Sequence, residues 1–337
     1  MPPPPLGVAV DTHAHVFRQG LALADTRRHT PDYDATLEQY LALLDAYGMS
    51  HGVLVQPSFL GTDNSHLVQA LRAAPQRLRG VAVVSPEASD AQLQALANAG
   101  VVGIRLNLIG LPTPELQTPH WQALLARVNG LGWHIEVHVQ AGRLGDVLPA
   151  LLAAGCRVVV DHFGRPDPAL GVSDPGFAYL LQQAKSGQVW VKLSAPYRNW
   201  PVADSADRAD ANAPTAPSAL TGLALRPGIP DYGVAGRQAA QLLLAAYTAK
   251  RLLWGSDWPH TEHRHLASYP AATQWLDAWI DDATQRRIVL ADTPMQLFKI
   301  QDRTQSQTQS QTQAQTQGQS QGETQNQNQI HLPGDKS

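Results

Sequence analysis

Short apolar runs alternate with longer helical patterns along this chain. Residues 8–11, 52–56, 80–84, 102–107, 134–139, 157–161, 189–193 and 252–255 are brief, mostly apolar stretches that predict strands. Between them, apolar residues recur at helical spacing. Leu37, Tyr40, Leu41, Leu43 and Leu44 mark a helix over 36–47, and Leu93, Leu96 and Ala97 mark one that begins at Ser89 and stops at Gly100. Similar patterns predict helices over 65–74, 121–131, 144–154, 177–185, 238–247 and 275–289, the last interrupted near Asp281 and Asp282. Eight strand–helix units imply parallel strands buried on both faces. The fold class is therefore α/β, a (β/α)8 TIM barrel spanning residues 6–300. No glycine-rich phosphate loop follows the first strand, as an open dinucleotide-binding sheet would require.

Two segments break the rhythm. Residues 201–230, rich in Ala, Pro and Asp, follow the seventh strand and are expected to form an insertion or lid over the catalytic face. Residues 301–337 are expected to be a disordered tail, since Gln there alternates with Ser, Thr, Ala, Gly and Asn and offers nothing apolar to bury. The length of 337 residues suits one barrel with insertions, and a net charge of −3 gives no reason to expect nucleic acid or an anionic membrane as partner. Cys156 stands alone, so no intrachain disulfide can form, and no activating base is near it in sequence; it reads as a small buried hydrophobe. The first residues lack a signal-peptide pattern, and no run reaches the ~18 apolar residues of a membrane span. A cytoplasmic protein is expected, with its oligomeric state open.

The chemistry gathers at the predicted strand ends, where barrels of this kind carry their functional residues. The first strand ends in His13 and His15, two residues apart and so on one face. The fourth ends in Arg105 and Asn107, the fifth in His138, and the sixth in His162 and Arg165. The seventh runs into Lys192, Ser194 and Arg198, and the eighth into Asp257. A carboxylate such as Asp257 can hold and deprotonate water. Imidazoles, or a metal they bind, can stabilise the oxyanion formed when that water attacks a carbonyl. Arg105, Arg165 and Arg198 can either grip a substrate carboxylate or pair within the rim. His51, His66, His120 and His134 read as structural or surface residues, while His260, His263 and His265 can line the rim. The set suits hydrolysis of an anionic ester or lactone.

Three blocks carry a family resemblance: Val10-Asp11-Thr12-His13-Ala14-His15, Val160-Asp161-His162-Phe163-Gly164-Arg165-Pro166-Asp167, and Leu253-Trp254-Gly255-Ser256-Asp257-Trp258-Pro259-His260. The sequence resembles the amidohydrolase-related (amidohydrolase 2) family, and within it the 2-pyrone-4,6-dicarboxylate lactonases and related lactone hydrolases. The resemblance implies a (β/α)8 barrel that opens a cyclic ester without a bound metal. It assigns water activation to Asp257 and carbonyl polarisation to His13, His15 and His162. Substrate binding falls to Arg105, Arg165 and Arg198, with Asn107 and Ser194 beside them. Two positions depart from the pattern. Pyrone lactonases carry a second arginine shortly after the fourth strand, where this chain has Leu108-Ile109-Gly110-Leu111. A lactone with fewer anionic groups, or with its charge placed differently, is therefore open. His138 stands where the pyrone enzymes have tyrosine and metal-dependent relatives have a ligand, so His13, His15, His138 and Asp257 are a candidate Zn²⁺ set. The alternatives are a Zn-dependent decarboxylase of an unsaturated or aromatic acid, and a non-catalytic barrel that binds an anionic metabolite.

Overall fold

The computed structural model describes residues 7–200 and 231–301. The expected insertion at 201–230 and the expected tail from 302 onward lie outside the described residues. The chain divides into two units, 1–298 and 299–337, the second described only over 299–301.

The first unit is an eight-stranded parallel barrel with strands in chain order. The strands are β1 (Val10–Ala14), β2 (His51–Val55), β3 (Leu78–Ala82), β4 (Val101–Asn107), β5 (His134–His138), β6 (Arg157–Val160), β7 (Val189–Leu193) and β8 (Leu252–Trp254). Between and after them lie α1 (Leu37–Ala46), α2 (Ser65–Ala73), α3 (Asp90–Asn98), α4 (Pro119–Gly130), α5 (Leu144–Ala153), α6 (Pro175–Gln182), α7 (Tyr232–Tyr247) and α8 (Tyr269–Trp279). Local chemistry sets their starts. Thr36 with Gln39, and Ser89 with Gln92, form reciprocal capping boxes on α1 and α3. Asp231 caps α7 through the Gly233 N–H, which begins that helix six residues before the predicted 238. The predicted 275–289 helix is three pieces. After α8, Asp282 caps α9 (Ala283–Arg287), and a π turn over Ile288–Asp292 leads into α10 (Thr293–Leu297).

The seam between β8 and β1 positions the site. The Asp257 N–H donates to the His13 carbonyl and the His15 N–H to the Trp258 carbonyl, each at 2.8 Å. The Thr12 hydroxyl donates to the Trp254 carbonyl at 2.7 Å. Gly255 has to be glycine here, because a Cβ on it would lie 2.6 Å from His13 Cβ. These bonds carry β1 to Ala14, beyond the predicted end at 11. His13 thus lies within the strand rather than after it.

Side-chain alternation separates two environments. Ile104, Leu106, Ile135, Val137, Val158, Val160, Val191 and Leu193 are buried in the apolar layer under the helices. The alternate positions hold Arg105, His134, Glu136, His138, Asp161 and Lys192, which bond to one another inside the barrel. Among the described residues, no helix is long and apolar enough to cross a membrane.

Candidate active site

Asp257 stands just past β8 with φ at +58°, and its two oxygens face different surroundings. Oδ2 accepts from the Tyr197 hydroxyl at 2.6 Å and from the Arg198 guanidinium at 3.1 Å. Oδ1 has no hydrogen-bond partner and lies 3.5 Å from both His13 Nε2 and His15 Nε2. Burial alone would raise this carboxyl. Arg198, His162, His15 and His13 outweigh burial and hold it well below the usual carboxylate range. It is therefore an anion with one oxygen anchored and one free.

The histidines differ in which nitrogen carries the proton, as inferred from their partners. His15 Nδ1 lies 2.8 Å from the Val55 carbonyl, which can only accept, so Nδ1 carries a proton, while Nε2 faces Asp257 Oδ1. His138 Nδ1 accepts from Arg105 at 3.2 Å, which puts the proton on its partnerless Nε2. His13 Nδ1 accepts from Lys192 Nζ at 3.1 Å, so its Nε2 is a donor. His162 Nδ1 is 2.8 Å from Ser194 Oγ. Burial, reinforced by Lys192, brings His13 down to about 4, and burial holds His138 and His162 well below the ordinary histidine value. All three are neutral near pH 7, and His13 and His138, with the proton on Nε2, can donate from it to a developing oxyanion.

A charged layer supports them. Lys192 Nζ donates to Glu136 Oε1 at 2.5 Å and lies 3.5 Å from Asp161 Oδ1, all three residues being fully buried. Arg105 donates to Asp161 Oδ2 through Nε at 3.0 Å and through its terminal amine at 2.8 Å. Burial acts to raise Asp161, and Arg105, Lys192 and His13 more than reverse it. Three carboxylates, Asp257, Asp161 and Glu136, thus face three paired cations, Arg198, Arg105 and Lys192.

His15, Arg105, Asn107, His138, His162, Arg198 and Asp257 line one cavity of about 50 Å³. His13 lies beneath it, fully buried, and Ser194 sits behind His162. Arg165 is not among the lining residues, but it senses Arg198, Asp257 and Arg28, and burial with Arg198 brings it down to about 10. Sequence reasoning left out Tyr197, Glu136, Asp161 and Arg28, and named Lys192 without a role. Glu136 and Lys192 had a signal, because a charge inside a short apolar strand needs a buried partner. Backbone strain is concentrated in the site loops. His162, Phe163, Arg165, Ala195, Asp257 and His260 have φ between 47° and 60°, each costing roughly 1–3 kcal/mol.

Among the described residues, two groups could hold a metal ion: His13, His15 and Asp257, and His13, Asp161 and His162, with ligand atoms within 4.8 Å of one another. His138, expected as a fourth ligand, is in neither group.

The Amidohydro_2 family model, described as amidohydrolase, matches residues 10–300, and the chain belongs to this family. It is a hydrolase of the amidohydrolase superfamily. It is 33% identical over 296 residues to the 2-pyrone-4,6-dicarbaxylate hydrolase of Comamonas testosteroni, covering 86% of this chain and 90% of that one. A 4-sulfomuconolactone hydrolase of Rhizobium radiobacter is 30% identical, with 87% and 90% covered. Two solved structures carrying the name 2-pyrone-4,6-dicarboxylic acid hydrolase superpose with a TM-score of 0.75. One, from Pseudomonas putida, is 42% identical over 87% of this chain and 98% of that one. The other, from Acinetobacter baumannii with citric acid bound, is 36% identical over 86% and 99%.

Proposed function

We propose that this chain opens a small carboxylated lactone by attack of an Asp257-activated water on the ring carbonyl. The observation that carries this reading is the free Asp257 Oδ1, 3.5 Å from two imidazole nitrogens on the floor of a cationic cavity. Asp257 takes a proton from water as the water oxygen bonds to the carbonyl carbon. The carbonyl oxygen becomes an oxyanion and accepts from His13 Nε2–H, with His162 alongside. Collapse breaks the ring C–O bond, and the leaving oxygen takes the proton from Asp257. The product is an open-chain acid. The names of the relatives, a pyrone dicarboxylate hydrolase and a sulfomuconolactone hydrolase, support an anionic lactone.

The cavity is small, so a ring must displace side chains to enter. Arg105 and Arg198 are held in ion pairs, whereas Arg165 has none among the described residues and is the readier partner for a substrate carboxylate.

The residues fit a divalent ion poorly. With Lys192 donating to Nδ1, His13 presents a proton rather than a lone pair to the grouping with His15 and Asp257. The three nearby carboxylates are already matched by three cations, so an added ion would be buried without counter-charge. No step is therefore routed through a metal. The decarboxylase reading needs that ion and weakens with it.

The test is acid release from a panel of carboxylated 2-pyrones and muconolactones, with and without a chelator. Hydrolysis that survives chelation is expected. Failure to release acid from every member would overturn the lactonase reading, and stoichiometric zinc with loss of activity on chelation would overturn the metal-free mechanism.

A further inference from the structure

The matched charges leave two guanidiniums over. Arg165 is one. Arg28, on the connection between β1 and α1, is the other. Arg28 is exposed on its outer side, yet it lines the same cavity as Arg105, Asn107, Arg198 and Asp257. It makes no hydrogen bond or ion pair among the described residues. The acid that faces it is the exposed Glu262, which attracts it without a bond, while Arg105 and Arg198 oppose its charge. Its stem crosses the loop after β4. A Cβ on Gly110 would lie 3.4 Å from Arg28 Cδ, in ordinary contact. The stretch Leu108-Ile109-Gly110-Leu111 holds no arginine of its own.

We propose that Arg28 is a second anion anchor of this site, a specificity-determining residue that favours lactones bearing two carboxylates. The proposal rests on the lactone reading above and deepens it. Two like charges near one cavity repel, and an anion placed between them relieves the repulsion. A monocarboxylate satisfies one fork, and a second carboxylate on the ring satisfies the other. Arg28 thus lies beside Gly110 of the fourth loop and lines the cavity from the first.

The test compares KM for 2-pyrone-4,6-dicarboxylate with KM for 2-pyrone-6-carboxylate in the wild-type enzyme and in Arg28→Met, Arg28→Gln and Arg28→Lys. Loss of a charge-assisted contact should raise the dicarboxylate-to-monocarboxylate KM ratio about tenfold or more in the Met and Gln variants. Arg28→Lys should recover part of the preference, and the melting temperatures should match. An unchanged ratio in both neutral variants overturns the proposal. Should the wild-type enzyme hydrolyse neither pyrone, the wider lactone panel decides the lactone reading, and Arg28 is tested apart from it. Calorimetric titration with citrate then decides on Arg28. A Kd weakened about tenfold in Arg28→Met supports anion anchoring, and an equal Kd refutes it.

Discussion

The Tyr197 hydroxyl donates to Asp257 Oδ2 at 2.6 Å, on the side of the carboxylate turned away from His13 and His15. Burial raises the Tyr197 pKa well above the ordinary phenol value, and Asp257 raises it further, so the group remains a donor. This contact fixes which carboxylate oxygen is left for chemistry. Tyr197→Phe should lower kcat about tenfold with a smaller change in KM, since it frees the base to rotate without removing it. Steady-state kinetics with any accepted lactone checks this. A change confined to KM would mean that Tyr197 touches substrate instead.

Asp257→Asn keeps the shape and removes the base. Turnover should fall roughly 10³-fold or more, with the circular dichroism spectrum unchanged. Near-normal turnover would take Asp257 out of the mechanism.

Arg198, read from sequence either as a grip for a substrate carboxylate or as a rim ion pair, lies 3.1 Å from Asp257 Oδ2 and also lines the cavity. Arg198→Met should therefore lower kcat about tenfold or more and move the acid limb of the rate profile to higher pH, because burial then acts on the carboxylate with less opposition. A rise in KM alone, with the limb unmoved, would favour the grip on substrate instead.

Lys192 and Glu136 form a pair with no exposure to solvent. Either Lys192→Met or Glu136→Gln strands one buried charge and should cost about 3–5 kcal/mol in urea unfolding. The double variant should be more stable than the sum of the two losses predicts. Strict additivity would show that the two residues do not depend on each other.

Acid should destabilise the fold in two stages. Burial brings His13 and His260 down to about 4. The unfolded chain, whose histidines titrate near about 6.5, then binds protons that the native state refuses. Stability is complete above that value and is lost as the pH falls toward 4. Asp257 and Asp161 are held well below the carboxylate range, and their contribution is lost as the pH falls through their native values. Urea melts between about pH 7 and pH 4.5 should show the first loss. A flat response would contradict the neutral buried imidazoles.

The sequence revealed the barrel because alternation of short apolar runs with helical patterns depends on neighbouring residues alone. It also singled out His13, His15, His162 and Asp257, which lie in or shortly past their strands. Partnerships were hidden. Arg105 and Arg198 look alike in sequence, yet both are held by aspartates 56 and 59 residues further on. Tyr197 precedes Arg198 in a single 3₁₀ turn, with nothing local to mark its reach toward Asp257. Arg28 lies in a polar loop whose residues carry no periodicity, and its proximity to Gly110 exists only once the barrel has curved round. Strand limits moved by up to three residues, as at β1, because bonds across the seam decide where pairing ends.

The bonds from the Asp257 N–H to the His13 carbonyl and from the His15 N–H to the Trp258 carbonyl join the first strand to the loop after the last. During synthesis the imidazoles leave the ribosome first, and the carboxylate emerges only after all eight strands have been made. On the proposed mechanism, the base thus reaches the imidazoles in the same event that completes the wall. A fragment that ends before residue 252 lacks the eighth stave, the bond that ties Trp254 to Thr12, and Asp257 itself.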